Sequence, residues 1–221
     1  MVRSIFLWTL LLPLCTGSAW SGDVYIEKES PHKHCLLRGS APVKSKKAGE
    51  NILKNRWRVP SPADYDNRVT IKTLIRPADG PTTWSASRAA RIKGYVAVVK
   101  ANTEGESCNC GSKRSIDCDT HIAVVPDRNS MSDRRKYIFV EVTPRIRELL
   151  AAQNPPIDWT SEGLKKRLLG KRVQFEGWMF FDSQHKGEAV ATHPVDPKGH
   201  NWRATCWEIH PVTSIQILGL F

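Results

Sequence analysis

Acidic and histidine side chains recur in pairs along the second half of the chain. Three such pairs occur: Asp119 with His121, Asp182 with His185, and Glu208 with His210. Carboxylates and imidazoles are ligands for zinc, manganese and iron, and they also act as general acids and bases. The pairs therefore predict a shared polar site, either with these six residues as ligands of a divalent metal ion or with Glu208 and His210 as catalytic groups.

No specific signature accompanies the pairs. The chain lacks His-Glu-x-x-His, Gly-x-Ser-x-Gly, a phosphate-binding loop and a dinucleotide fingerprint. A single acid–histidine pair is more typical of a solvated strand face, where polar side chains connect neighbouring strands. A structural protein whose pairs only stabilise a sheet is therefore one alternative to a functional site.

Strand periodicity predicts which of these side chains point the same way, because successive residues of a strand face opposite sides. In DTHIAVV, Asp119 and His121 share the polar face. In WEIHPVTSIQI, Glu208 and His210 oppose a predicted apolar face formed by Trp207, Ile209, Ile215 and Ile217. Glu141 lies between two valines of a third strand, and we expect it to point away from the core as well.

The elements around these residues follow a recognisable order. Strands are predicted at 92–100, 119–125, 137–143, 172–181 and 203–218, with helices at 144–153 and 161–169. This is the order of the oligonucleotide/oligosaccharide-binding (OB) fold, a mainly β, five-stranded Greek-key barrel with a helix between strands three and four. The long loops follow strands one and four, where that fold places ligand contacts. An unrelated α+β sheet with the same element order is the alternative.

The residues before the barrel carry weaker signals. Segment 69–75 predicts a strand, and 84–95 begins like a short helix. Residues 22–60 are polar and basic without sustained periodicity, which predicts an irregular N-terminal arm with a short helix near 48–54. The barrel domain is then 61–221. His32, His34 and Cys35 offer a second metal-ligand set, for which a solvated arm is the favoured alternative.

The N-terminus predicts export. Arg3, a short apolar run and the small residues TGSA form the pattern of a signal peptide over residues 1–21, cleaved after Ala19 or Ser21. The run is shorter than the roughly 20 residues of a transmembrane helix, and no second apolar stretch is long enough. We expect a secreted or periplasmic protein; a lipid anchor at Cys15 is the less favoured alternative.

Export also permits disulfides. Without Cys15 five cysteines remain, an odd number, so at least one is free or pairs between chains. The Cys-x-Cys spacing does not fit the usual Cys-x2-Cys pairs of structural zinc sites. The disulfide candidates, with connectivity left open, are Cys108, Cys110, Cys118 and Cys206.

Charge and aromatic residues indicate the partner. The formal net charge is +11, which favours anionic partners such as nucleic acid, acidic glycans or a membrane surface. Aromatic side chains on a barrel surface stack bases or sugars, at about 1–3 kcal/mol per base. The predicted ligand contacts are Trp178, Trp202, Arg172, Arg203 and Glu141, and further basic residues for a groove are Arg134, Arg135 and Lys136.

Several segments resemble a group of exported bacterial proteins that have an OB-like domain. The segments are ESCNC, DTHI, FVEVTPR, GWMFFDSQH and NWRATCWEIHPVTSI, and they lie within residues 56–218. The resemblance implies export and the barrel fold, and it carries over no catalytic residues. Cys118 stands where a charged residue is expected from that group.

The sequence therefore predicts an exported OB-like binding module for an anionic polymer, nucleic acid or glycan, with a divalent metal ion as its one candidate cofactor. The alternative is a metal-dependent hydrolase, a nuclease-like phosphodiesterase that uses the Asp/His/Glu residues to hold the metal or activate water.

Overall fold

The computed structural model describes residues 32–76 and 80–219. The predicted signal peptide, its two cleavage sites and Cys15 lie outside the described residues. Within the described part of the chain, no helix combines the length and the apolar character needed to cross a membrane.

Five strands close into one barrel. In chain order they are β1 (Ala89–Ala101), β2 (Thr120–Val125), β3 (Ile138–Val142), β4 (Arg172–Phe181) and β5 (Trp207–Ile217). Around the barrel the order is β1-β2-β3-β5-β4, and β4 pairs with β1. Neighbouring strands are antiparallel except β3 and β5, which run parallel. The prediction of a mainly β, OB-like five-stranded barrel is confirmed.

The α-helices of the described residues are α1 (Lys46–Lys54), α2 (Ile71–Leu74), α3 (Pro144–Gln153) and α4 (Ser161–Leu168). Helices α3 and α4 lie between β3 and β4, as predicted. Each begins at a threonine, Thr143 or Thr160, whose side chain accepts a hydrogen bond from a backbone N–H of the first turn. Apolar side chains of both helices join the barrel core.

The last two strands approach each other closely at Gly177. A Cβ atom at this position would lie 2.2 Å from the carbonyl oxygen of Pro211, so only glycine fits. Register shifts on β4 around Gly177 also change the alternation of β5. Val212 follows Ile209 as the next core residue, and Ile217 is exposed. The predicted apolar face therefore holds for Trp207 and Ile209 and in part for Ile215, which packs against the edge of the core, but not for Ile217.

Two predictions before the barrel are wrong. Residues 69–75 contain helix α2 instead of a strand, because Thr70 and Thr73 form reciprocal caps and the buried Ile71 and Leu74 have helical spacing. The segment after Trp84 forms turns and then enters β1 directly, without a helix.

The prediction that the N-terminal arm is solvated is also wrong for residues 32–60, the part of the arm that the structure describes. Helix α1 is present near its predicted position, but the segment packs on the barrel. The Asn55 side-chain amide donates to the carbonyl oxygens of Leu37 and Cys108. The Arg56 guanidinium donates to Ala86 and Met179. Polar residues that suggested solvation in the sequence instead satisfy buried backbone groups.

A disulfide between Cys35 and Cys110 ties this segment to the loop between β1 and β2. Of the four disulfide candidates, Cys110 therefore forms a bridge, with a partner from the arm. Cys108, Cys118 and Cys206 are buried free thiols. The prediction of a disulfide is confirmed, and of the four candidates Cys110 alone takes part in a bridge among the described residues.

We expect Cys35→Ser to lower the free energy of unfolding by about 4 kcal/mol, because the bridge spans 75 residues and long closed loops restrict the unfolded chain most. Urea unfolding measures the loss, and Cys206→Ala is the control, expected to lose far less. Peptide mapping that finds Cys108 or Cys118 linked to Cys35 would contradict the assignment.

Candidate binding cleft and buried ionic cluster

A cleft of about 430 Å³ lies on the barrel where β1, β2 and β3 meet the two long loops. The loop between β1 and β2 forms one wall, and the loop between β4 and β5 forms the other. This is the β2–β3 surface on which OB folds bind oligonucleotides and oligosaccharides. The cleft is lined by Val98, Lys100, Asn102, Glu104, Glu106, His121, Arg134, Tyr137, Phe139, His185 and Trp202.

Aromatic rings form one side of the cleft. Phe139 and Trp202 meet edge to face with ring centroids 5.2 Å apart, and His185 meets Trp202 at 5.1 Å. The guanidinium of Arg203 lies behind them, 5.0 Å from the centre of Phe139 and 5.4 Å from that of Trp202. Phe139 is buried and Trp202 is half-buried, so Trp202 offers the stacking surface.

Charged side chains of both signs surround the rings. Lys100 and Arg134 are exposed cations, whereas Glu104 and Glu106 lie on the wall formed by the β1–β2 loop. An anionic ligand is therefore attracted to one part of the cleft and repelled from the other, which fixes its orientation.

Below the cleft lies a buried ionic cluster, formed by Asp119, His121, Glu141, Glu208 and His210. The strand register brings these residues together. His121 pairs with Glu141 across β2 and β3. Because Val140 lies opposite Ile209 in the parallel β3–β5 pair, Glu141 lies beside His210. Asp119 and His121 therefore approach the Glu141 carboxylate from one side, and Glu208 and His210 approach it from the other.

The distances show how tightly the cluster is drawn together. His121 Nε2 lies 3.0 Å from Glu141 Oε2, and His210 Nδ1 lies 3.2 Å from the same oxygen. His210 Nδ1 is 3.6 Å from Glu208 Oε2, and His210 Nε2 is 3.6 Å from Asp119 Oδ2. His210 is therefore surrounded by three carboxylates.

Burial and charge act against each other in this cluster. Burial disfavours the imidazolium of His121, but the Glu141 carboxylate outweighs it and raises the pKa of His121 to about 9. Burial likewise disfavours ionised Glu141, yet the two histidines hold its pKa well below the usual range. For Asp119, burial prevails over the attraction of His210 and raises its pKa. At neutral pH, His121 therefore presents a positive charge to the cleft.

Many polar atoms of the cluster have no hydrogen-bond partner among the described residues. They are Asp119 Oδ1, His121 Nε2, Glu141 Oε2, Glu208 Oε2 and both ring nitrogens of His210. Their contacts at 3.0–3.6 Å are charge pairs without the alignment of a hydrogen bond. An unsatisfied buried polar group costs about 1–3 kcal/mol, so the arrangement is unusual for a purely structural network.

Glu208 has one fully formed partner, Arg203. The guanidinium lies 2.5 Å from the carboxylate, and both side chains are 1% exposed. Arg203 also donates to the carbonyl oxygen of Thr205. Despite the opposing effect of burial, Arg203 lowers the pKa of Glu208.

The six predicted metal ligands separate into two groups. Asp119, His121, Glu208 and His210 meet in the cluster. Asp182 and His185 lie at the end of β4, where His185 Nε2 is 3.6 Å from Asp182 and Nδ1 is 2.5 Å from Glu188. The ion pairs of His185 lie within that loop, and its ring reaches the cleft, so it belongs to the cleft wall.

The predicted ligand contacts also separate. Trp202 lines the cleft, as does Arg134. Trp178 is buried under Arg56 and Arg58 and donates to a backbone carbonyl, so it cannot stack a ligand. Arg203 and Glu141 are buried on the outer face of the barrel, so neither can contact a ligand in the cleft directly. Arg172 is exposed at the start of β4, outside the cleft lining.

Sequence reasoning missed two residues beside the cluster. Lys54, from α1, is buried with its ammonium 3.8 Å from Glu106 and 5.4 Å from the ring centre of Phe180. Cys108 has its sulfur 3.2 Å from Glu106 and 3.7 Å from Asp119. Both come from segments without periodicity, and no local pattern could have assigned them to this site.

Comparison with protein-family models, curated proteins and solved structures finds no match to this chain. The class of the molecule is therefore set by its fold and its site: an OB-like barrel with a cleft above a buried ionic cluster.

We expect Arg203→Met to destabilise the protein by about 3–5 kcal/mol, because Glu208 is left as an unpaired buried charge. Adding Glu208→Gln should recover part of that loss, so the double variant unfolds at a higher urea concentration than Arg203→Met alone. Arg172→Met, at an exposed position, should stay within about 0.5 kcal/mol of the natural chain. Strictly additive losses in the double variant would show that the two side chains are not coupled.

Proposed function

We propose that this protein is an exported OB-like module that binds a single-stranded anionic polymer, with nucleic acid as the leading candidate. The observation that carries this proposal is the position of the cleft, on the β2–β3 surface between the two long loops. The Cys35–Cys110 disulfide supports an oxidising compartment.

The cleft has the two kinds of contact that such a ligand requires. Trp202 provides a stacking surface for a base, and Lys100 and Arg134 provide positive charge for phosphates. Its volume of about 430 Å³ lies within the range of about 300–1,000 Å³ of small-ligand sites. The cleft therefore holds a short part of the polymer, and the remainder follows the basic surface.

The variants Trp202→Ala and Lys100→Ala test this function by fluorescence anisotropy with a labelled single-stranded oligonucleotide. We expect Trp202→Ala to lower the affinity by about 5- to 150-fold, which corresponds to the loss of 1–3 kcal/mol of stacking. Lys100→Ala should reduce the slope of log K against log salt by about one unit.

Two control variants lie outside the cleft lining. Trp84→Ala and Arg172→Ala remove one aromatic and one basic side chain there, and both should leave Trp202-dependent binding intact. Salt-insensitive binding, or equal losses in the controls, would contradict the proposal. Displacement of the oligonucleotide by a sulfated glycan would identify a glycan as the polymer instead.

Hydrolysis of a bound phosphodiester is the second candidate function, because two histidines line the cleft and each contacts a carboxylate. His121 contacts Glu141 and His185 contacts Glu188. Asp119 and Glu208 are at most 1% exposed, so they cannot touch a polymer or activate water against it directly.

Gel analysis of the oligonucleotide after incubation tests hydrolysis, with and without a chelator. If the protein is a hydrolase, cleavage should appear in the natural chain and fall at least about 100-fold in His185→Asn, the loss expected for a general acid or base. An oligonucleotide that binds tightly and stays intact would exclude this function and support a binding module.

A further inference from the structure

We propose that Asp119, Glu141 and His210 bind one divalent transition-metal ion, Zn²⁺ or Mn²⁺, on the buried outer face of the barrel. One ligand atom of each residue, a single ring nitrogen in the case of His210, lies within 4.8 Å of the other two. The residues come from the start of β2, from β3 and from β5, so the fold brings the site together. This inference does not depend on what the cleft binds.

The spacing of the side-chain atoms fits an ion. With ligand bonds of about 2.0–2.2 Å, neighbouring ligand atoms of a tetrahedral ion lie about 3.3–3.6 Å apart. His210 Nδ1 lies 3.2 Å from Glu141 Oε2, and the other ring nitrogen, Nε2, lies 3.6 Å from Asp119 Oδ2. Only one of these nitrogens can bind the ion, and for the three ligand atoms together the separations are within 4.8 Å. Any separation longer than about 3.6 Å would have to shorten when the ion binds.

The second, independent observation is the set of unsatisfied atoms. His210 is 0% exposed, and neither ring nitrogen has a hydrogen-bond partner in the described chain; Asp119 Oδ1 and Glu141 Oε2 also lack one. An ion between them would satisfy one nitrogen and both oxygens together. The ring nitrogen that does not bind the ion also has a carboxylate nearby. Nδ1 has Glu141 at 3.2 Å and Glu208 at 3.6 Å, and Nε2 has Asp119 at 3.6 Å. Metal-bound histidines usually have such a partner on the second nitrogen.

The charges near the site also leave room for a cation. Arg203 is paired with Glu208 at 2.5 Å, and Lys54 pairs with Glu106 at 3.8 Å. Asp119 and Glu141 form ion pairs with histidines. Within the described residues, no arginine or lysine lies within ion-pair distance of either carboxylate. A divalent ion would therefore neutralise these two carboxylates.

The donor set selects the class of ion. Two carboxylates and one imidazole suit zinc or manganese, whereas calcium and magnesium prefer an all-oxygen shell. The three ligands are at most 3% exposed, so no coordination position is open to a polymer in the cleft. The ion therefore stabilises the fold, and Glu141 connects it to His121 in the cleft.

The test begins with the full chain, stripped by a chelator and then dialysed free of it. Addition of Zn²⁺ or Mn²⁺ should load one ion per chain by elemental analysis and raise the melting temperature, whereas Mg²⁺ and Ca²⁺ should do neither. Asp119→Asn, which keeps the shape of the side chain, should weaken binding by more than about 100-fold, beyond the effect of losing an outer-shell partner. Asp182→Asn, a buried carboxylate outside the three ligands, is the matched control and should bind like the natural chain.

A measurement on the unaltered chain covers the case in which Asp119→Asn fails to fold. Bound Mn²⁺ should broaden the NMR signals of Val140 and Ile209, which flank the site, more than that of Gln216, near the other end of β5. Absence of loading and of a melting shift with both metals would overturn the proposal. Equal binding by Asp119→Asn, or broadening of Gln216 as strong as that of Val140 and Ile209, would overturn it as well.

Discussion

Glu141 is a buried carboxylate that needs positive charge on both sides, and the geometry of the barrel meets this need. β3 lies between β2 and β5 in the barrel, so its acid can meet a histidine from each. An isolated carboxylate in such surroundings would be strongly unfavourable or neutral. The strand register places His121 of β2 and His210 of β5 on the two sides of Glu141, at 3.0 Å and 3.2 Å from the same carboxylate oxygen.

Burial of charge also changes the meaning of the basic composition. Several of the cations that contribute to the net charge of +11 are inside the molecule: Lys54, Arg56, Arg145, Arg147 and Arg203. Arg145 donates to the backbone of Cys35 and to Asn55, and Arg147 donates to Ile116 and Cys118. In these irregular segments, backbone carbonyl groups accept hydrogen bonds from guanidinium groups, whereas in a helix or sheet they would accept them from backbone N–H groups. Net charge alone therefore overstates the surface that is offered to an anion.

The sequence predicts the barrel well because strand alternation is a local property. The bounds of β4 agree at both ends, and Glu208 and His210 are separated from the core face as the alternation requires. The convergence of the acid–histidine pairs could not be derived, because it depends on the parallel β3–β5 pairing, a contact between distant parts of the chain. The role of Trp178 was missed for the same reason, because Arg56 and Arg58, which cover it, come from the distant arm. Arg203 is only five residues from its partner Glu208, but residues 203–206 precede β5 and strand alternation does not predict this contact.

The packing of the arm sets an order for folding. Residues 32–60 are made early, yet Arg56 donates to Met179 on β4, and the disulfide joins Cys35 to a residue 75 positions later. Contacts of such long range slow the search for the native state. The arm cannot complete its native packing until β4 has been made, because Arg56 donates to a carbonyl group of that strand.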